Sequence, residues 1–533
     1  MVARFLASAA VLALTAGAAQ AEFTLHILHV NDFHSRIEPI NAFDSTCSAE
    51  EDAAGDCFGG VARLYTKINA LRDSLVQDGQ NVLVLDAGDQ FQGSLFYTTY
   101  KGAAEAEFME AIGFDAMAVG NHEFDDGPQG LADFLDLVSF PVISSNLDLS
   151  RSNLLNGRIE KSLVLEVGGE RIGIVSALAT DTVDTAAPGP DVLFQDEVEA
   201  LAAEVDALQA EGINKVIALT HVGFVRDQEI AAEVPGIDAV IGGHSHTLLS
   251  SSARDRHGAY PTWVSQEDGT AVPVVQSYGY GKYLGHLVLE FDAEGRLIHA
   301  HGDSLLIDAS VEPDAAIAAR VAELGEPIAD LKAQVVAQLD GPLDGDRDSC
   351  RQVECSMGNA IADAMLARVA DQGVSIAIQN GGGIRASIQA GEVTMGDVYT
   401  VLPFQNTLAT FQTTGAVIID ALENGASQLE SGAGRFAQVA GLTYTVDPAA
   451  APGQRISEVM VRDGQDWVPI DPEATYGVVT NDYVRQGGDG FRMFAAHAEN
   501  VYDYGPDLAD VLAEHLAAAD GYEPYTDGRI TRK

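Results

Sequence analysis

Residues 116–125 read AMAVGNHEFD. A short apolar run, Ala116–Val119, stops at a glycine, and four side chains able to bind a metal or move a proton follow at once: Asn121, His122, Glu123 and Asp125. The same layout recurs. Leu25–Val30 runs into Asn31, Asp32 and His34, and Val82–Leu85 into Asp86, Gly88 and Asp89. Val216–Leu219 runs into Thr220 and His221, and Ala239–Ile241 into Gly242, Gly243, His244 and His246. Together with Val142–Ser145 and Ile172–Ala177, these runs alternate with amphipathic stretches such as Val61–Leu75 and Val198–Ala210. Such alternation predicts a layered α/β domain around a buried sheet. The carboxyl ends of strands in an open α/β sheet converge on one crevice, so these loops can meet at a point although they are far apart in sequence.

One polar residue after a strand is weak evidence of a metal site. Here five of the thirteen histidines, His34, His122, His221, His244 and His246, lie in such loops. Mixed Asp, His and Asn donors suit zinc, manganese or cobalt better than copper. One carboxylate shared by two ions, with three further ligands on each, would make a binuclear centre. Two ions roughly 3.5–4 Å apart clamp the attacking and leaving oxygens of a displacement at phosphorus and lower the pKa of a bound water.

The chain of 533 residues is long enough for two or three domains, and its composition, 47% hydrophobic and 20% charged, is that of a globular protein. Its net charge of −49 repels nucleic-acid polymers and anionic membranes, so a small anionic substrate would have to be captured by local positive groups. Salt adaptation is the expected source of most of that acidity, without bearing on catalysis. Residues 1–21 carry Arg4, the apolar run Phe5–Leu14 and the small-residue ending Ala19-Gln20-Ala21, a secretory signal too short to span a bilayer. With no second long apolar stretch and a polar C-terminus, the mature protein is expected to be unanchored, either periplasmic or secreted. Cys47/Cys57 and Cys350/Cys355 are two close pairs, expected to be disulfides in an exported chain. A zinc knuckle is the rival reading, but neither pair has its spacing.

The first domain is expected over 22–310. An Ala-rich amphipathic segment, 312–339, reads as one long connecting helix with a weak point at Gly325-Glu326-Pro327, within a linker over 311–340. A second α/β alternation then fills 341–533, with helices at Met357–Ala370 and Ala416–Gln428 and strands at Ser375–Gln379, Thr407–Thr413 and Leu442–Val446. There Asn380 is followed by Gly381-Gly382-Gly383-Ile384-Arg385 after a strand. Consecutive glycines can present backbone N–H groups to an anion, and Arg385 adds a bidentate donor for phosphate oxygens.

In order, Asp-x-His, Gly-Asp, Gly-Asn-His-Glu-Phe-Asp, Thr-His and Gly-His-x-His resemble the signature of the calcineurin-like metallophosphoesterases. The resemblance extends over the mature chain to the 5′-nucleotidase family, particularly its animal ecto-enzymes. It is carried by NVLVLDAGDQFQG (81–93), AMAVGNHEFD (116–125), GYGKYLG (279–285), QNGGGIR (379–385), VLPF (401–404) and GGDGF (487–491). It implies a nucleotide-binding C-terminal domain and two divalent ions, zinc first, with manganese or cobalt as the other candidates. Asp32, His34, Asp89 and His246 would hold one ion; Asp89, Asn121, His221 and His244 would hold the other. His246 departs from the pattern, since similar members carry an amide there; imidazole should preserve the site while altering its metal preference. His122, held by Asp125, would stabilise the leaving group. Arg351, Asn380 and Arg385 match substrate-binding positions, Phe404 and Tyr483 the rings that sandwich the base, and Asp489 the ribose carboxylate. The Cys350–Cys355 bridge would rigidify the loop carrying Arg351.

The expected activity is hydrolysis of nucleoside 5′-monophosphates such as AMP, extending to di- and triphosphates or UDP-sugars, by a monomer or homodimer. A 2′,3′-cyclic-nucleotide 2′-phosphodiesterase/3′-nucleotidase shares both domains and is the alternative. A catalytically dead nucleotide-binding protein is a third reading, disfavoured by the intact ligand set.

Overall fold

The computed structural model describes residues 23–42, 44–464, 466–503, 505–519 and 521–533; the expected signal segment lies outside the described residues. The N-terminal part is built on two six-stranded sheets. In the first, Phe23–Val30, Asn81–Asp86, Ala116–Ala118 and Val142–Ile143 run parallel, in that spatial order. Antiparallel strands Tyr283–Phe291 and Leu297–Leu306 complete it beyond Phe23–Val30. In the second, Glu170–Leu178, Val216–His221, Ala239–Ile241 and Ala271–Val275 run parallel between the edge strands Ser162–Val167 and Thr262–Ser265.

The apolar runs legible in sequence are the central strands because a strand covered on both faces has no solvent side to make polar. Leu25, Ile27, Leu83 and Leu85 of the first sheet share one core with Ile172, Ile174, Ile217, Leu219 and Ile241 of the second. The opposite faces are covered by helices, Val61–Gln77 and Ala103–Ile112 on the first sheet and Glu197–Ala210 and Phe224–Glu233 on the second. The result is a helix–sheet–sheet–helix sandwich in which the parallel strands of both sheets end at the same rim.

The expected helix over 312–339 is broken and shorter. It runs Ala315–Gly325, gives way to a 3₁₀ turn at Glu326–Ile328, and resumes for Ala329–Lys332. Pro327, with no N–H to continue the ladder, accounts for the interruption. Val335–Leu339 is then a strand, paired antiparallel with Gly391–Thr394.

The C-terminal part centres on a five-stranded mixed sheet in the order Ala437–Ala440, Ile376–Asn380, Thr475–Asn481, Leu408–Thr414, Glu499–Tyr502. Helices Ser356–Arg368 and Leu508–Ala517 pack on one side and Gly415–Gly425 on the other. Cys47–Cys57 and Cys350–Cys355 are both disulfide-bonded. Among the described residues no helix is long and apolar enough to cross a membrane.

Candidate active site

All five strand-end loops of the N-terminal domain converge on one rim. His34 Nε2 lies 3.0 Å from His246 Nε2, and His246 Nε2 lies 3.1 Å from Asp32 Oδ1. Next to this triple, Asp89 Oδ2 stands 3.7 Å from His34 Nε2 and 3.0 Å from His221 Nε2, so one carboxylate faces both groups. His244 Nδ1 approaches Asn121 Oδ1 at 2.7 Å, and its ring meets that of His221 edge-on, centroids 5.2 Å apart. Apart from the half-buried His244, these side chains are buried.

The donors are oriented by their surroundings. A backbone carbonyl can only accept, so His221 Nδ1 donates to Ala87 O (2.6 Å) and His34 Nδ1 to Phe91 O (3.1 Å). That leaves Nε2 of each ring with a lone pair aimed into the cluster. His221 Nε2 is buried without a hydrogen-bond partner although a carboxylate oxygen is 3.0 Å away. Lone pairs converging in this way are relieved by a cation, so the donor set fits divalent metal ions. The local charges agree. Burial, then the neighbouring Asp89, pushes Asp32 up to about 6, with His221 opposing. Burial acts on Asp89 in the same sense, but His221, His122 and His34 hold it well below the usual carboxylate range.

The backbone is held in an unusual shape here. Asp32, His34, Asp89, His244 and His246 all have left-handed φ, between 51° and 74°. Non-glycine residues adopt this region at a penalty of about 1–2 kcal/mol each, and such residues gather where function over-determines the conformation. Gly120 is indispensable nearby, since a Cβ there would stand 2.3 Å from both the amide N and Oδ1 of Asp89.

Sequence reasoning noted Glu123 as polar but gave it no role in the site. It is fully buried and takes four backbone amides: Asp89 N at 3.0 Å, Gly120 N at 2.7 Å, Gln90 N at 2.8 Å and Phe91 N at 3.3 Å. It thereby ties the loop of Asp89 to the loop of Asn121. Burial, then Asp89, pushes it up to about 7. The Gly-Asn-His-Glu string held the residue, but nothing in the string says that its partners are backbone amides from another strand.

His122 Nδ1 is 2.7 Å from Asp125 Oδ2, and its backbone N donates to Asp89 Oδ1 at 2.9 Å. Burial lowers His122, but Asp125 and Asp89 outweigh it and leave the imidazole raised.

Arg385 reaches across from the C-terminal domain to within 3.1 Å of His34 Nε2, while Arg347 donates to His244 O at 3.1 Å. Both domains therefore line one cleft of about 1420 Å³, which holds His122, Arg347, Arg351, Arg385, Phe404, Tyr483 and Asp489. Arg347, three residues before Cys350, was not singled out in the sequence. Burial, then the Arg347 and Arg385 guanidiniums, holds Arg351 well below its ordinary value, and its Nε has no partner.

The triple glycine works differently from the sequence reading. Gly381 N donates to Phe436 O and Gly382 N to Gly434 O, so these two N–H groups are committed within the fold. Their lack of side chains instead allows close packing: a Cβ on Gly381 would lie 2.4 Å from Cys350 O, and one on Gly382 2.9 Å from Gly434 Cα. The turn thus brings the loop of Arg351 against that of Arg385. Asp489 Oδ2 accepts from Asn380 Nδ2 at 2.6 Å, and the Tyr483 hydroxyl accepts from Asp489 N at 3.0 Å. Phe404 is half-buried, stacked on His122 with centroids 5.6 Å apart and with the Arg385 guanidinium 5.6 Å over its ring.

Residues 25–248 match the family described as "Calcineurin-like phosphoesterase" and residues 335–496 the "5'-nucleotidase, C-terminal domain". The chain is 39% identical to a 5′-nucleotidase of Diplobatis ommata, over 96% of this chain and 90% of that one. It belongs to the 5′-nucleotidase family. It is also 38% identical to the human 5′-nucleotidase, over 98% of this chain and 93% of the relative. Against a snake venom 5′-nucleotidase of Naja atra it is 36% identical, covering 95% and 98%. The crystal structure of a 5′-nucleotidase precursor from Thermus thermophilus superposes with a TM-score of 0.90 at 40% identity, covering 96% of this chain and 99% of that one. The two-domain α/β architecture of this 5′-nucleotidase family member is accordingly the one expected from its sequence.

Proposed function

We propose that the chain hydrolyses nucleoside 5′-monophosphates such as AMP to nucleoside and phosphate. The observation that carries this is the meeting of Arg385 with His34: a guanidinium suited to phosphate lies against the donors suited to metal, in a cleft whose other wall carries two rings and a buried carboxylate. Asp32, His34, Asp89 and His246 would hold one divalent ion and Asp89, Asn121, His221 and His244 the second, with zinc our first choice over manganese or cobalt. When bound, such ions supply hydroxide at neutral pH and offset charge on the phosphoryl oxygens.

The protein groups would divide the remaining work. Arg351 and Arg385, with Arg347 beside them, take the phosphate oxygens, which also relieves the mutual repulsion of the three guanidiniums. With Nδ1 committed to Asp125, His122 presents Nε2 to the departing 5′ oxygen and can hand it a proton. Phe404 and Tyr483 stack on the base, and Asp489, oriented by Asn380, accepts from the ribose hydroxyls. The Tyr483 hydroxyl, bonded to Asp489, couples the base platform to the ribose carboxylate. Phe404 stacks on His122 and lies under the Arg385 guanidinium, so the base platform adjoins both the phosphate-binding and the leaving-group side of the cleft.

Export to the periplasm or medium as a monomer or homodimer, removal of residues 1–21, the division at 22–310, 311–340 and 341–533, and activity on di- and triphosphates or UDP-sugars belong to the same proposal. Two disulfides and the venom origin of several relatives support an oxidising location. The test is phosphate release from AMP with and without a chelator, run beside 3′-AMP and 2′,3′-cyclic AMP. Chelator-sensitive release from AMP above the other two is expected; a preference for the 3′ or cyclic substrate would overturn the 5′ assignment.

A further inference from the structure

A fourth arginine lines the cleft besides Arg347, Arg351 and Arg385. Arg435 is only 9% exposed, and a charge so buried is normally paired. Among the described residues its one side-chain hydrogen bond is long, 3.4 Å from Nη1 to Asn424 Oδ1, and its Nε has no partner. In a chain of 79 acidic and 30 basic residues, a cation held this way calls for an explanation. What it faces is Asp489. The chain after that residue passes over the guanidinium: a Cβ on Gly490 would lie 2.8 Å from Asn424 Oδ1 and 3.1 Å from Arg435 Nη1. Asn424, on helix Gly415–Gly425, donates through Nδ2 to Asp489 O at 3.0 Å. Arg435 and Asn424 thus back the turn Gly488-Asp489-Gly490, in which Asp489 has φ 52° and ψ 27°, a left-handed conformation that disfavours a side chain.

The carboxylate itself is held from the other side. Oδ2 accepts from Asn380 Nδ2 at 2.6 Å, and a Cβ on either Gly382 or Gly434 would come within 3.3 Å of it. The backbone carrying Arg435 is tied to this same turn, since Gly382 N donates to Gly434 O at 2.7 Å and Gly381 N to Phe436 O at 2.8 Å. Arg435 is therefore fixed relative to Asp489 on both flanks of its own peptide. Burial pushes Asp489 up; the bond from Asn380 and then the charge of Arg435, ahead of Arg351 and the Tyr483 hydroxyl, oppose it. Arg351 belongs to the phosphate end, so substrate phosphate neutralises it on binding. Arg435 is then the cation left to Asp489. An ionised carboxylate offers only acceptors, and its bonds to hydroxyl groups are stronger than those of the protonated acid.

We propose that Arg435 is a positioning residue that sets substrate specificity: it aims and holds the Asp489 carboxylate, and so makes the enzyme prefer nucleotides that carry ribose hydroxyls. This rests on the reading of Asp489 as the acceptor for those hydroxyls. The probes are AMP and 2′,3′-dideoxy-AMP, compared by kcat/KM in the full chain supplied with zinc. A site built to bond a hydroxyl rejects the analogue that lacks it, so the parent should favour AMP. Arg435→Gln removes the charge; it should lower that preference about fivefold or more through a raised KM for AMP, with dideoxy-AMP altered less than about twofold. Arg435→Lys restores a point charge without the fork, and should keep the preference within about twofold of the parent. An unchanged preference in Arg435→Gln overturns the proposal. So does an equal loss on both substrates, which is what a purely structural role gives. Should Arg435→Gln not fold, Arg435→Met is judged by the same ratio. Asp489→Asn separates the two readings. If it leaves the preference intact, Asp489 does not meet the ribose and the role of Arg435 falls with it; if it abolishes the preference while Arg435→Gln does not, only the role of Arg435 is lost.

Discussion

Glu123→Gln is a nearly isosteric change that should be disproportionately damaging. Each carboxylate oxygen of Glu123 receives two backbone amides: Oε1 from Gln90 and Phe91, Oε2 from Asp89 and Gly120. A glutamine has one acceptor oxygen, so whichever way it is turned its NH₂ faces two N–H groups. Those two donors lose their acceptor in a site that excludes water. Leaving a buried donor unsatisfied costs about 1–3 kcal/mol, so the pair amounts to about 2–6 kcal/mol. For a domain of this size about 2 °C of melting temperature is lost per kcal/mol, which gives a fall of about 4–12 °C in the metal-free protein.

The two loops pushed apart are those of Asp89 and Asn121, so metal retention should suffer as well. Differential scanning calorimetry of the metal-free variant, and metal content after dialysis against dilute zinc, test the two consequences separately. If Glu123→Gln melts within a degree of the parent and keeps its full metal complement, the amide clamp does not hold the site and the reasoning fails.

Asp125→Asn removes the main charge that raises His122 above its ordinary value, so its pKa should drop. If protonated His122 serves the leaving group, activity declines as pH rises through that pKa, and the alkaline limb of kcat against pH should move toward lower pH in the variant. Phe404→Ala should forfeit about 1–3 kcal/mol of base stacking, raising KM for AMP about 5- to 150-fold. Phosphate release from glycerol 3-phosphate, which has no base, measures whatever the same change does through His122. Glu105, buried under Ser35, is pushed up by burial from its ordinary 4.5 to about 7. A carboxyl raised in the folded state contributes stability that is present below pH 4.5 and is lost as pH rises to about 7. Glu105→Gln should therefore flatten stability against pH over that window, measured by urea unfolding of the metal-free protein; an unchanged slope would remove Glu105 as its source.

The strand runs of the N-terminal domain were legible because parallel strands buried on both faces must be apolar throughout, and the loops after them because their polar residues cluster so abruptly. What the sequence hid was conformation. No local rule puts Asp32, His34, Asp89, His244 and His246 in the left-handed region; the penalty is borne because the sheets fix both ends of every loop. Val335–Leu339 escaped for the converse reason. It continues an Ala-rich amphipathic pattern, and only pairing with Gly391–Thr394, more than fifty residues away, makes it a strand.

The triple glycine shows how a correct motif can carry the wrong physics. Glycines beside an arginine suggested amides open to an anion, yet Gly381 and Gly382 donate to Phe436 and Gly434. The positive charge comes from close packing instead. With no Cβ to hold the chains apart, the loop of Arg351 settles on the turn that precedes Arg385, and Arg347 stands one helical turn before Arg351. Three guanidiniums gathered together, where burial and then Arg385 lower Arg347, and burial and then Arg347 and Arg385 lower Arg351, make a local field that opposes the −49 of the chain as a whole. An anion is drawn to such a site because it removes a repulsion already built into the fold, and that attraction persists however acidic the rest of the surface becomes.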